Sequence, residues 1–197
     1  MEMAHDVFPE ATFFFIYRDP IEVAISLRRV AETISPLRYL LYLPNIPNIV
    51  ASVFDLYGLS NIEYRGWTCA IHPAFEFGYR ATCFTVQYYL QALERGINIH
   101  GLCYSDIVSP GSRITKHIFE ICQLQNSMVE KARNALSKDS QAKSPFSREK
   151  LRNALPNLSK PPPGFWDIAC AMSEEFGVPG PDRYREKRFR LPNSLEP

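Results

Sequence analysis

Residues 12–17, Thr-Phe-Phe-Phe-Ile-Tyr, form an unbroken run of β-formers that ends on Arg18 and passes straight into Asp19-Pro20. A short run of this kind, with no polar alternation, predicts a strand buried on both faces, as in parallel sheets covered by helices. Asp19 at the N-cap, Pro20 at the first helical position and Glu22 three residues after the cap predict that a helix starts at once. Val23, Leu27, Val30 and Ile34 recur at steps of three and four, which gives that helix one apolar face to lay on the sheet. The junction therefore sets a fixed cation at a buried strand end, beside a helix N-terminus that is itself positive. Such an arrangement repels itself unless an anion is expected there.

The rest of the chain continues the alternation. Residues 74–95 predict a long helix closed by Gly96, and 97–104 (Ile-Asn-Ile-His-Gly-Leu-Cys-Tyr) predict a second strand. Ser109-Pro110 is expected to open a third helix, with Ile114, Ile118 and Ile121 on one side. Strand, helix, helix, strand, helix is the grammar of an α/β fold with a parallel sheet. From about residue 137 the chain turns polar, and short helices are expected around 147–155 and 165–176 within an extended tail. The expectation is one domain over 1–197, with a core at 8–125 and an irregular, partly helical extension over about 137–197.

Lys and Arg number 22 against 21 Asp and Glu, so no global basic field argues for nucleic acid and any anion site must be local. The five cysteines, Cys69, Cys83, Cys103, Cys122 and Cys170, show no metal-ligand spacing, and an unclustered odd set favours reduced thiols in a reducing compartment. No metal is expected. The opening residues lack the basic start and apolar stretch of a signal peptide. The most apolar long segment, 37–59, is interrupted by Arg38, Pro44, Asn45, Pro47, Asn48 and Asp55, so it is read as a buried or substrate-covering segment and not as a spanning helix.

Arg18 offers a planar fork that binds phosphate oxygens in pairs. Ser26 follows it by eight residues, about two helical turns along, where its hydroxyl reaches the same side as the strand end. Residue types alone leave a second reading open. Arg18 would then pair with a carboxylate such as Asp19 or Asp106, and Ser26 would bond back to its own helix.

The stretch Phe8 to Val30, with its strand, Arg18-Asp19-Pro20 and Ser26, resembles the segment of PAPS-dependent sulfotransferases that binds the 3′-phosphate of the sulfate donor. Tyr104-Ser105-Asp106-Ile107 and the residues after it are similar to that family's Tyr-Glu-Asp-Leu strand end; Tyr104 and Asp106 match, whereas Ser105 and Ile107 depart. From the first to the second, the two stretches span about half the chain and bracket most of its middle. The resemblance implies a three-layer, parallel-sheet fold of the P-loop NTPase type, with Arg18 and Ser26 binding PAPS as co-substrate. It also implies sulfuryl transfer to a hydroxyl, less readily an amine, on a carbohydrate or small-molecule acceptor, without a metal.

The family's 5′-phosphosulfate loop uses glycine and lysine upstream of the Arg-Asp-Pro strand, and no Gly or Lys precedes Arg18 here. The chain is therefore read as the C-terminal part of the fold, N-terminally truncated, with no catalytic residue assigned. His5, His72, His100 and His117 are expected at the surface or in packing. The basic tail (Arg183, Arg185, Lys187, Arg188, Arg190) is read as a solvated run, with a lesser chance of adding a cation to the 3′-phosphate. Without its neighbour, the strand at 12–17 is expected to become an exposed edge open to association. The alternative function is a non-catalytic family member that binds nucleotide or a protein partner. The expected location is cytoplasmic, or the Golgi lumen if a preceding segment carries an anchor. The acceptor pocket is expected from 37–70.

Overall fold

The apolar run folds as β1 (Phe13–Tyr17), and the residues from Pro20 on fold as α2 (Pro20–Thr33), preceded by a short α1 (Glu2–Val7). The computed structural model describes residues 2–33, 73–109, 113–136, 138, 160–186 and 189–196. The predicted helix start is realised as a cap: the Ile21 amide donates to Asp19 Oδ1 at 2.8 Å, and the Val23 amide donates to the Asp19 carbonyl at 3.1 Å. Glu22 does not reach back to complete a capping box; its carboxylate turns to Arg18.

Helix α3 (Pro73–Glu94) ends where Gly96 allows it to end. Gly96 has φ +80°, its amide bonds the Leu93 carbonyl at 2.9 Å, and the Ile97 amide bonds the Ala92 carbonyl at 3.0 Å. That pair of bonds, with Ile97 and Ala92 both buried in one apolar cluster, is a Schellman closure. It sends the chain into β2 (Ile99–Cys103), which pairs with β1 in parallel, Phe13 beside Ile99 through Tyr17 beside Cys103.

The fold is mixed α/β. Among the described residues its sheet has two strands and the chain forms seven α-helices. Phe13, Phe15 and Tyr17 point to α3, where Phe15 stacks on Tyr89 at 4.5 Å. Phe14 lies beside His100 on the opposite face, and Ile16, also on that face, is 59% exposed. The expectation of a strand buried on both faces is thus corrected: α3 covers one face, and the other stays open at Ile16. His100 packs on Phe14 and His5 meets Phe13 edge-on at 6.2 Å, so both serve aromatic packing.

The predicted second strand ends one residue early, because Tyr104 begins a single helical turn, α4 (Tyr104–Ile107). The third helix does not open at Ser109-Pro110. It begins after Arg113 as α5 (Ile114–Ile121), while residues 110–112 lie outside the described residues. A 3₁₀ turn (Asn126–Met128) leads into α6 (Val129–Leu136), which the sequence reading did not anticipate. The helix expected at 147–155 and the apolar segment at 37–59 also lie outside the described residues.

Helix α7 (Phe165–Phe176) falls where the sequence placed it, and it is part of the core. Phe165, Ala169 and Met172 share one cluster with Ile21 and Ala24 of α2 and with Phe75, Tyr79 and Cys83 of α3. Helices α2 and α3 meet closely at Gly78, where an added Cβ would stand 3.0 Å from the Ala24 Cα. The final described residues run along β2: the Gly101 amide bonds the Asn193 carbonyl and the Leu195 amide bonds the Gly101 carbonyl, each at 2.9 Å. Leu191 joins Tyr17, Val86, Tyr89 and Ile99 in a second apolar cluster. No helix of the described residues is long and apolar enough to cross a membrane.

Candidate anion-binding cleft

A cleft of about 200 Å³ opens at the carboxyl end of the sheet. Its walls come from β1 (Phe15, Ile16, Tyr17), the first turn of α2 (Val23), the middle of α3 (Thr82, Thr85, Val86) and Tyr104 at the end of β2, with Arg18 at its rim. The place follows from the topology: two parallel strands end side by side, and the helices that follow and connect them part just beyond.

Arg18 is the one cation in this lining set. Its Nε donates to Glu22 Oε2 at 2.7 Å, and its guanidinium carbon sits 5.2 Å from the centre of the Tyr104 ring. The pair with Glu22 is exposed on both sides, 42% and 54%, and an exposed pair of this kind contributes at most about 1 kcal/mol. A bidentate anion can displace it. Arg18 is thus paired with a carboxylate, as the second reading from the sequence had it, but the partner is Glu22; Asp19 caps α2, and Asp106 pairs with Arg190.

Ser26 is half-buried on α2 and lies outside the residues that line the cleft. It follows Val23 by three residues, so it stands on the same side of the helix one turn further from the strand end. The structure thus brings Arg18 and Tyr104 together and leaves Ser26 outside the lining. Thr82 and Thr85 were not anticipated. Both bond helix carbonyls, Thr82 to Gly78 at 2.8 Å and Thr85 to Thr82 at 2.9 Å. Two threonines three residues apart, just before Val86 on a mostly apolar helix, were the available signal.

The three tail cations among the described residues are otherwise engaged. Arg183 pairs with Glu186 at 2.9 Å, Arg185 lies 4.3 Å over the Trp166 ring, and Arg190 holds Asp106. Lys187 and Arg188 lie outside the described residues. Among the described residues the lining offers one guanidinium, the Thr82 and Thr85 hydroxyls and the Tyr17 and Tyr104 phenols on otherwise apolar walls, a set that can hold an anion with an apolar body.

Near the core, Tyr79 shares a hydrogen bond with Ser173 at 2.8 Å, and the buried Tyr184 hydroxyl has no hydrogen-bond partner among the described residues. Burial pushes the Cys83 thiol up to about 12 from its ordinary 9.0. It likewise lifts the Tyr89 phenol to about 12 and raises Tyr79 and Tyr184 above the usual phenol value. These acids stay neutral in the fold and ionise first in the unfolded chain. Their contribution is whole below the unfolded values and is lost as pH rises through the folded ones. Stability is therefore expected to fall from about pH 9 upward, with phenolate absorbance rising together with loss of far-ultraviolet ellipticity. Phenolate absorbance reaching its full amplitude while the helices remain intact would contradict this burial.

Comparison with family models, with curated proteins and with solved structures finds no match to this chain.

Proposed function

We propose that this chain carries the 3′-phosphate-binding half of a sulfotransferase-type protein that takes PAPS as co-substrate and moves its sulfuryl group to a hydroxyl, or an amine, on a small-molecule or carbohydrate acceptor. The observation that carries the reading is Arg18: an exposed guanidinium at the end of a parallel strand, backed by the Tyr104 ring and held by a weak exposed carboxylate. The motifs around Arg18 and Tyr104 supply the family, and the position of Arg18 on the cleft rim agrees with the role that the resemblance gives it. In this reading the two described strands belong to a wider three-layer parallel sheet.

The chemistry asked of these residues is positioning. Arg18 exchanges Glu22 for two phosphate oxygens, the Tyr104 ring keeps the guanidinium oriented, and Ser26 adds a hydroxyl donor from one turn beyond Val23. The sulfuryl group itself would react elsewhere, at a loop that these residues do not include.

Calorimetric titration with 3′-phosphoadenosine 5′-phosphate tests the assignment. Arg18→Ala is expected to weaken binding at least about tenfold, the scale of one charge-assisted hydrogen-bonded contact. Absence of binding by the unaltered chain rejects the site. The alternative reading is a non-catalytic member that binds nucleotide or a partner. Nucleotide binding lost in Arg18→Ala, with no sulfuryl transfer from PAPS by either protein, selects that reading.

A further inference from the structure

The two strand ends that flank the cleft are both gripped by residues 190–195. Tyr17, the last residue of β1 and the neighbour of Arg18, is buried, and its hydroxyl accepts the Leu191 amide at 3.2 Å and the Ser194 hydroxyl at 3.1 Å. Asp106, two residues beyond Tyr104, is 8% exposed; it accepts Arg190 Nη2 at 2.8 Å on Oδ1, and Arg190 Nε lies 2.7 Å from its Oδ2. Between these grips the segment runs along β2 through Gly101, Asn193 Nδ2 donates to the Ile99 carbonyl at 2.7 Å, and the Tyr89 hydroxyl donates to the Pro192 carbonyl.

We infer that residues 190–195 form a latch that sets Arg18 against Tyr104 and thereby fixes the shape of the cleft, with Arg190 and Ser194 as positioning residues. The argument is one of shared attachment. Arg18 follows Tyr17 directly, and α4 carries both Tyr104 and Asp106. The strand ends already pair in the sheet, Tyr17 beside Cys103, and a segment that bonds Tyr17 and Asp106 at once adds a second tie just where Arg18 and Tyr104 leave the ladder. The mostly buried Arg190–Asp106 pair, held by one charge-assisted hydrogen bond and a second close N–O approach at 2.7 Å, is more constrained than the exposed Arg18–Glu22 pair. The latch concerns the free protein, and it bears on the proposed anion site because that site uses Arg18.

The test reads the ligand-free full chain by nuclear magnetic resonance, following the Arg18 side-chain Nε–H signal, the Tyr104 ring and the Leu195 amide. In Arg190→Ala the Leu195 amide is expected to exchange at least about tenfold faster, and the Arg18 and Tyr104 signals to move or broaden. The signals of α6 are expected to hold. Arg190→Lys, which keeps the charge and loses the fork, is expected to restore these signals only in part. Faster Leu195 exchange with unmoved Arg18 and Tyr104 signals would overturn the inference, and so would an unchanged Leu195. If Arg190→Ala also loses the α6 signals, it has unfolded, and Ser194→Ala decides by the same criteria, since it removes one donor to Tyr17. Failure to bind 3′-phosphoadenosine 5′-phosphate would reject the proposed function and leave these readings of the free protein to stand or fall separately.

Discussion

Replacing Phe165 with alanine is expected to destabilise the protein by about 3–5 kcal/mol, the largest loss among the substitutions considered. Phe165 is fully buried, with its ring edge-on to Phe75 at 4.2 Å and to Tyr79 at 5.6 Å. Removing it deletes a large apolar side chain and two aromatic contacts, and leaves a void that the surroundings cannot readily fill. Helices α2 and α3 already meet at Gly78, so neither can move inward as a unit without the other. Urea unfolding measures the effect, with Phe165→Leu as the milder comparison. A loss under about 1 kcal/mol would mean that α7 is not part of the core.

Gly101→Val is expected to cost about 3 kcal/mol, at the upper end for forcing volume into a filled site. A Cβ at Gly101 would stand 2.8 Å from the Tyr89 hydroxyl and would collide with the Ser194 side chain. Valine adds two methyl groups to that clash. Tyr89 is packed by its stack on Phe15 and by its bond to Pro192, so the 190–195 segment is the part that yields. The damage should then be local first: proteolysis near the C-terminal end should quicken before global unfolding is reached. Unchanged denaturation and proteolysis profiles would show that the backbone does not approach β2 as closely as described.

These two positions also separate what could be read in the sequence from what could not. The start of α2, the Gly96 end of α3 and the bounds of α7 were legible because each depends on chemistry within a few residues: a cap, a left-handed glycine, a periodic face. The role of Gly101 was not, because the atoms that demand a glycine belong to Tyr89 and Ser194. Asp106 could be picked out as a motif residue, yet its partner Arg190 lay in a tail read as a solvated charge run. No local pattern distinguishes an arginine that will fold back onto a distant carboxylate from one that faces water. Ile16 failed for a related reason: an unbroken apolar run records the absence of polar residues and says nothing about how many faces a neighbour will cover. Of the candidate site, Arg18 was visible in its motif, whereas the threonines of α3 and the place of Ser26 outside the lining needed the helix packing.

The register that aligns Phe13 with Ile99, and the bond from Tyr17 to Leu191, has a consequence for how the molecule is assembled in time. Both unions join distant parts of the chain, so their closure entropy is spent before any sheet contact returns it. Helices α3 and α7 can form from local interactions in far less time. Assembly should accordingly pass through a helical collapse in which the strands are the late arrivals. The cleft, which exists only where both strands end together, would be among the last surfaces to appear.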